Sequence, residues 1–478
     1  MTRRLFVTAL FAATLSALLL AAPPLSALAA PAGWTVPAQV TSATASGFDE
    51  VSVSSSLVAM RWTGFPVRIW TWTPGQTAAG QLPLSAYSDS LAVSGNRAVW
   101  RQDGGGLEAI MTWRVGGLLP AAFATGAQDY DFPALWGDRV AWLVIGTGDQ
   151  RVLTRKISQT ATTTVSAIDS GPKIDVAVSG DRVVWNGWDG HTWQVYTRVA
   201  GEAAVTAITA DLAPHISPQV SGDRVVWMSQ DAEGDGIVCT WKKGDAQPTT
   251  LGHAPYEGHP KVSGDFVVWT AGTPGDTQVY LWRPGHVQPE PVTAGPHSAS
   301  SAGISGDRMV WQDQVGGQYQ IVTRRIGESL LTTIAISADA LADPVVGDNR
   351  VAWGAFDGTA YQVFTAAGPA VATGVTRPTV SPLTPTHGHT ATFKSYLVPG
   401  VASFASRAKA TLRLYHYESR HWRLRSTVTM KRASSGLRAL LSASVKPRYA
   451  GSWRAVVRFE GAVGYSGKAS VTRSFRVR

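Results

Sequence analysis

Acidic and imidazole side chains recur in the polar segments between apolar runs, where they can exchange protons or bind a polar ligand. The seven candidates are Asp129, Asp131, His215, His253, Glu257, His259 and His297. Carboxylates and imidazoles are the usual groups of general acid–base catalysis. Long stretches of chain separate these residues, so a shared role depends on the elements that hold them.

A segment similar to Val-Ser-Gly-Asp-Arg-Val-Val-Trp recurs along the chain. The tryptophans that end its copies are Trp100, Trp142, Trp185, Trp227, Trp269, Trp311 and Trp353, which lie 42 or 43 residues apart. A period of this length, with several short strands in each copy, is typical of the four-stranded blades of β-propellers. A β-solenoid or a string of small sandwiches is the alternative, but solenoid repeats are usually shorter.

One copy illustrates the predicted strands. Residues 176–178 and 182–185 flank the turn Gly180-Asp181, and residues 194–198 form a third strand. The third strand recurs eight times, beginning with Ile69, Ile110, Val152, Val195, Val238, Val279, Ile321 and Val363. The first copy lacks the tryptophan, as expected of a degenerate end repeat. We therefore predict an all-β, eight-bladed propeller; seven blades remain the alternative if one copy is split to close the ring.

The propeller architecture predicts where the seven candidates lie. They fall between the fourth strand of one blade and the first strand of the next, and such segments emerge at the same end of a propeller. They are therefore predicted to cluster at one mouth of the ring. The alternative is that they are solvated loop residues with no common role.

The repeat resembles the TolB-type, WD-repeat-like propellers of secreted bacterial proteins. The resemblance rests on Ser179-Gly180-Asp181 followed by a strand that ends in Trp185, and on the segment from Gly190 to Tyr196. It extends over residues 49–376 and implies the fold alone, because propellers serve many functions. TolB itself carries an α/β domain before its propeller, and no pattern of that kind occurs here.

The composition divides the rest of the chain. Residues 1–30 are predicted to be a signal peptide, with Arg3-Arg4 before an apolar stretch and Ala27-Leu28-Ala29 as the cleavage site, which suits either general or twin-arginine export. Residues 31–376 would form the propeller and residues 377–386 a Pro/Thr-rich linker. In residues 387–478 apolar and polar residues alternate as in the strands of a small β-sandwich. This segment loosely resembles Ig-like modules. We therefore expect a secreted or envelope-associated protein with no transmembrane segment after cleavage.

The C-terminal segment is strongly basic. Residues 376–478 contain 19 Lys and Arg but only Glu418 and Glu460 as acids. Five arginines are predicted to face outward and to bind an anionic wall polymer, polysaccharide or surface: Arg413, Arg423, Arg425, Arg454 and Arg458. Nucleic acid is not expected as a partner of an exported protein. The alternative is that these arginines only keep the module soluble.

The sequence lacks the motifs of several common enzyme classes. The sequence contains no Gly-x-Ser-x-Gly elbow, no His-Glu-x-x-His and no Cys/His group with metal spacing. We therefore predict no catalytic residue, cofactor or metal, and a non-catalytic binding or scaffold protein. The propeller would be the recognition surface, for which another secreted protein is also a possible partner, and the sandwich would be the anchor. The alternative is a carbohydrate-active enzyme, a glycosidase or lyase, with its site at the propeller mouth.

Overall fold

The computed structural model describes most of the chain after the predicted signal. The described residues are 30–41, 47–83, 88–104, 108–126, 128–146, 148–166, 171–231, 233–254, 259–273, 275–296, 298–369, 374–398, 409–435, 438–461 and 467–478. The predicted signal peptide, apart from its last residue, lies outside them. Among the described residues, no helix is long and apolar enough to cross a bilayer.

The repeats form eight four-stranded antiparallel sheets, numbered here 1 to 8 along the chain. Their first strands are β2 Phe48–Val53, β6 Ser88–Ser94, β10 Asp129–Trp136, β14 Lys173–Ser179, β18 His215–Ser221, β22 Lys261–Ser263, β26 Ser300–Ser305 and β30 Leu341–Gly347. Their second strands are β3 Val58–Trp62, β7 Arg97–Asp103, β11 Arg139–Ile145, β15 Arg182–Trp188, β19 Arg224–Gln230, β23 Phe266–Thr273, β27 Arg308–Val315 and β31 Arg350–Phe356.

The outer strands complete each sheet. The third strands are β4 Arg68–Trp72, β8 Glu108–Arg114, β12 Gln150–Lys156, β16 Trp193–Val199, β20 Gly236–Lys242, β24 Asp276–Trp282, β28 Gln318–Arg325 and β32 Tyr361–Ala367. The fourth strands are β5 Gly80–Gln81, β9 Ala121–Gly126, β13 Thr163–Thr164, β17 Thr206–Ala207, β21 Thr249–His253, β25 Glu290–Pro291, β29 Thr332–Ser337 and, in sheet 8, β1 Ala38–Gln39. Each first strand contacts the first strands of both neighbouring sheets, and β2 contacts β30. The first strands therefore surround a central axis, and the predicted all-β propeller class is confirmed.

The N-terminal segment closes the ring. Strand β1 pairs antiparallel with β32, so sheet 8 combines both ends of the repeat region. Just after β1, Thr41 Oγ1 accepts a 2.9 Å hydrogen bond from the Val363 amide and donates one of 2.7 Å to Gln362 Oε1. Thr209 accepts the same bond from Val195 within the continuous chain of sheet 4. The closing strand therefore reproduces the contacts of an ordinary fourth strand.

The repeated tryptophans fill the spaces between sheets. All seven are at most 2% exposed. Trp185 of sheet 4, for example, packs against Leu143 and Val165 of sheet 3. Met60 occupies the equivalent position in the degenerate first repeat and is fully buried. A large apolar side chain at this position therefore holds each sheet to its predecessor by burial of its surface.

The Asp-Arg pair of the repeat forms a polar tie between sheets. Arg182 Nη1 donates to Thr197 Oγ1 in its own sheet at 3.4 Å, and Nη2 contacts Asp223 Oδ1 of the next sheet at 2.7 Å. Arg224 and Asp265 repeat the tie one sheet further on. The threonine that recurs in the third strand is thereby explained, because it orients the buried guanidinium.

The C-terminal residues form two five-stranded sheets. Their strands are β33 Gly374–Val375, β34 Thr379–Ser381, β35 Ala391–Val398, β36 Ala410–Glu418, β37 His421–Thr429, β38 Lys431–Ser435, β39 Arg438–Val445, β40 Gly451–Phe459, β41 Lys468–Ala469 and β42 Arg473–Val477. One sheet contains β33, β34, β35, β39 and β38, and the other contains β37, β36, β40, β41 and β42. Phe393 of the first sheet and Leu412 and Trp453 of the second share one hydrophobic core.

The segment that was expected to be an open linker, 377–386, contains strand β34. Its three residues pair with β35 of the C-terminal module. Val380 is 3% exposed, so burial of this side chain holds the segment to the sheet. Strand β33, placed by sequence within the propeller, also pairs with β35. The C-terminal module therefore begins by Gly374, before the boundary expected from composition.

Candidate functional site

A strained residue recurs in the first strands. Non-glycine residues with φ between 40° and 54° occupy the same repeat position in seven sheets: Glu50, Ser90, Phe132, Asp175, Ser217, Ser301 and Asp343. The pairing with the second strand is interrupted at each of them, as in a β-bulge. His259 occupies the equivalent position of sheet 6 by its spacing of 42 residues from both Ser217 and Ser301. Bulges re-aim side chains and are frequent beside functional sites, and here they surround the axis.

Several of these residues join neighbouring sheets. Glu50 Oε1 accepts a hydrogen bond from the Leu91 amide at 2.5 Å. Ser301 Oγ donates to Asp343 Oδ1 at 3.0 Å. Asp175 Oδ2 accepts from the Ser217 amide at 3.3 Å. Apart from Phe132, the bulge residues therefore form a polar ring around the channel. Contacts between sheets stabilise the unusual backbone conformation of the residues that make them.

Burial changes the pKa of two carboxyl groups, one in this polar ring and one beside it. Burial raises the pKa of Glu50 to about 7, although the Leu91 amide and the Arg61 guanidinium oppose the change. Burial also raises the pKa of Asp89, against the attraction of Arg101, whose Nη1 lies 2.9 Å from Asp89 Oδ2. A carboxyl group that is half protonated near neutral pH can donate a proton to a ligand.

A cavity of about 480 Å³ opens into the channel beside sheets 5 to 8. Its polar lining includes Gln219, His259, Lys261, Ser301 and Asp343. This volume is in the range of ordinary small-molecule sites. Among the described residues, no group of three or more His, Cys, Asp or Glu is arranged to hold a metal ion.

The structure places two of the seven mouth candidates at this channel. His259 lines the cavity, and Asp131 adjoins the bulge of sheet 3, where its Oδ1 accepts a 3.4 Å bond from Ser90. Asp129 is exposed at the start of β10. Glu257 and His297 lie outside the described residues.

The other two histidines lie away from the cavity. His215 is 4% exposed and is held between Asp211 and Trp227. His253 is exposed at the end of β21, with Nδ1 3.7 Å from Asp231 Oδ2. Local packing therefore determines which of these side chains reach the channel. Sequence reasoning missed Lys261, whose only signal was a single cation in a row of small or neutral residues.

The five predicted basic residues divide into two groups. Arg413 and Arg458 lie on the outward face of the β36–β40 pair, where they share Glu460 at 3.5 and 3.0 Å. Arg454 lies on the same face, because β40 alternates it with buried Trp453 and Ala455. Arg423 and Arg425 both contact Glu418. One arginine, Arg454, forms no ion pair within the described part of the chain.

Aromatic side chains accompany Arg454. Its guanidinium carbon lies 4.1 Å from the centre of the Trp422 ring. The Tyr417 ring is 5.0 Å from Trp422 between centres, and Tyr417 is 44% exposed. Leu424 beside them is 49% exposed. We call Arg413, Tyr417, Trp422, Arg454 and Arg458 the basic–aromatic face. Sequence reasoning identified its arginines but not its rings.

Comparison with known proteins found similarity in solved structures alone: neither a family model nor a curated protein sequence matches the chain. TolB from Acinetobacter baumannii is 12% identical, with a TM-score of 0.36 over 48% of this chain and 61% of that one. The β-propeller domain of the Trilobed protease from Pyrococcus furiosus is 11% identical, with a TM-score of 0.42 over 61% of this chain and 98% of that domain. A prolyl endopeptidase is 11% identical, with a TM-score of 0.46 over 74% of this chain and 54% of that one.

The similar structures thus include TolB and β-propeller domains, as the sequence resemblance predicted. The chain spans less than two thirds of the length of the A. baumannii TolB and of the prolyl endopeptidase. The prediction that the protein is not an enzyme is wrong. Peptidases recur among the similar structures, including acylaminoacyl peptidase and a puromycin-hydrolysing peptidase from Mycobacterium tuberculosis. The similar structures therefore include peptidases as well as TolB.

Proposed function

We propose that this is a secreted or envelope-associated recognition protein that is attached to an anionic polysaccharide by its C-terminal module. The observation that carries the proposal is Arg454, which has no acidic partner in the described chain and stacks on Trp422 in the basic–aromatic face. Exposed rings stack on sugar rings, and guanidinium groups pair with carboxylates in a fixed, two-pronged geometry. An anionic polysaccharide offers both chemical groups together.

The charge balance of the module supports the same ligand. Glu418 and Glu460 are its only acids, and each is shared between two of the five arginines. The remaining positive charge attracts an extended polyanion, and salt would weaken that attraction. The propeller would then present its channel mouth to a second ligand while the module holds the protein in place.

The test is affinity electrophoresis of the full-length mature protein through gels that contain polygalacturonate or uncharged dextran. We expect polygalacturonate alone to retard the protein. Arg454→Gln and Trp422→Ala should each reduce retardation several-fold. The control Arg448→Gln, which removes the same charge between β39 and β40, should change it little. If Arg454→Gln and Arg448→Gln were retarded equally, the effect would be explained by net charge alone. That result would contradict specific binding by the basic–aromatic face.

A second candidate function, hydrolysis of a polysaccharide at the channel mouth, is supported by Glu50. Its pKa of about 7 suits a general acid at neutral pH. Release of reducing ends from uronate-containing and neutral polysaccharides would test this role. Activity that is lost in Glu50→Gln would support it, and no release from any substrate by the wild type would contradict it.

A further inference from the structure

We propose that the propeller channel binds a small organic carboxylate that also carries hydroxyl or ammonium groups, with Lys261 as the partner of its carboxylate. This inference concerns the propeller and does not depend on polysaccharide binding by the C-terminal module. It rests on the position of one lysine within the axial cavity.

Lys261 is unusual at its repeat position in the first strands. The same position, which pairs with the second strand two residues beyond each bulge, holds Ser52, Ala92, Ala134, Ala177, Gln219, Gly303 and Val345 in the other sheets. Lys261 is therefore the one ionisable side chain in this row. In the neighbouring sheets Gln219 and Gly303 occupy this position and line the same cavity, and the missing side chain at Gly303 leaves space beside the lysine.

The ammonium group is enclosed but has no partner. Lys261 is exposed to the cavity lumen, yet protein surrounds it, and this desolvation lowers its pKa. It forms no hydrogen bond or ion pair with any described residue. An ionised group that is removed from bulk water without a partner costs free energy, and a bound anion would offset that cost.

The groups that face Lys261 define the rest of the ligand. Asp343 and Ser301 line the same cavity and bind each other at 3.0 Å, while Gln219 and His259 complete the polar wall. The oxygens of Asp343, Ser301 and Gln219 can accept bonds from ligand hydroxyl or ammonium groups. A sugar acid and an amino acid both combine such donors with a carboxylate, and the cavity can accommodate either.

The first experiment measures binding by titration calorimetry on the full-length mature protein. The probes are D-galacturonate, D-galactose as its neutral counterpart, and L-alanine. We expect binding of at least one carboxylate and none of galactose. Galacturonate alone would identify a sugar acid, alanine alone an amino acid, and both a site for the carboxylate itself. Lys261→Met should weaken binding at least tenfold, Lys261→Arg should retain most of it, and the surface control Lys243→Met should not differ from the wild type.

The second experiment measures amine reactivity and separates a binding role from a folding defect. Limiting acetic anhydride at pH 8 should acylate Lys261 ahead of the surface lysines, because more of it is deprotonated. The carboxylate that binds should slow this acylation, and galactose should not. The proposal is overturned if neither carboxylate binds the wild type, if folded Lys261→Met binds equally well, or if the ligand leaves the acylation rate unchanged.

Discussion

The indole Nε1 of Trp227 donates a 3.1 Å hydrogen bond to Nδ1 of the buried His215 imidazole. Because an indole N–H is only a donor, Nδ1 must be the acceptor, and Nε2–H is left to donate to Asp211 Oδ1 at 2.9 Å. This arrangement requires a neutral imidazole. Burial lowers the pKa of His215, in agreement with that requirement. A histidine that sequence reasoning assigned to the channel mouth thus belongs to the packing of sheet 5.

His215→Phe should lower the free energy of unfolding by about 1–3 kcal/mol at pH 8, because the buried Trp227 N–H loses its acceptor. The stability that the neutral His215 contributes should also decrease as the pH falls below about 6.5, since this imidazole takes up a proton more readily in the unfolded chain than in the folded one. The variant should lack this part of the acid sensitivity. Urea denaturation at pH 8 and pH 5.5 measures both effects, with exposed His253→Gln as the control. Identical pH dependence in wild type and His215→Phe would contradict the neutral, buried role.

Asp223 and Asp265 occupy the same turn in adjacent sheets but differ in burial. Asp265 is 6% exposed and contacts Arg224 and Lys242, whereas the Asp223 side chain is 58% exposed. Asp265→Ala should therefore cost about 3 kcal/mol or more of unfolding free energy, because the buried Arg224 guanidinium loses its partner. Asp223→Ala should cost about 1 kcal/mol, since water screens its ion pair. Urea denaturation of the two variants makes the comparison, and equal losses would show that burial does not govern these ties.

Thr41 holds the closing strand to sheet 8 through two hydrogen bonds. Thr41→Val removes both and should lower the free energy of unfolding by about 1–3 kcal/mol. It should also speed proteolytic cleavage near residue 41, because only non-covalent contacts retain this segment. Thr209→Val, the matched change in sheet 4, should destabilise the protein without exposing the N-terminal segment. Limited elastase digestion followed by mass spectrometry distinguishes the two, because elastase cleaves after small apolar residues such as Val40 whereas no Lys or Arg lies near residue 41. Equal cleavage at the N-terminal segment would contradict the closure.

The raised pKa of Glu50 predicts a pH dependence of stability that is opposite to the one predicted for His215. Its folded pKa of about 7 lies above the value of the unfolded chain, so the folded protein binds an extra proton between about pH 4.5 and pH 7. The contribution of Glu50 to stability, measured as the difference between the wild type and Glu50→Gln, should fall as the pH rises through that window, by about 2 kcal/mol once solvent screening is allowed for. Glu50→Gln keeps an acceptor for the Leu91 amide and should remove the decline. Thermal denaturation from pH 5 to pH 8 tests this, and exposed Glu202→Gln should behave as the wild type does.

The periodic positions were the predictable part of the fold. Trp185 and its equivalents recur at a constant spacing, so their strand and their burial follow from the pattern. Strand β1 was not predictable in the same way, because two residues paired with a strand more than 300 positions away carry no periodic signal. The channel site was likewise hidden: Lys261 becomes distinctive only when the first strands are aligned around the axis. The charge of the C-terminal module was visible in composition, whereas the pairing of Trp422 with Arg454 required the register of β36, β37 and β40.

The most direct test of the proposed attachment is the affinity of the wild type for soluble polygalacturonate, measured by calorimetry from 20 mM to 500 mM salt. If the basic–aromatic face binds a polyanion, the affinity should fall steadily with salt, because the charges are screened over about 8 Å at physiological ionic strength. The variant Arg413→Gln/Arg454→Gln/Arg458→Gln should bind more weakly and show a shallower salt dependence. A wild-type affinity that does not change with salt, or a triple variant with the same slope, would contradict the account.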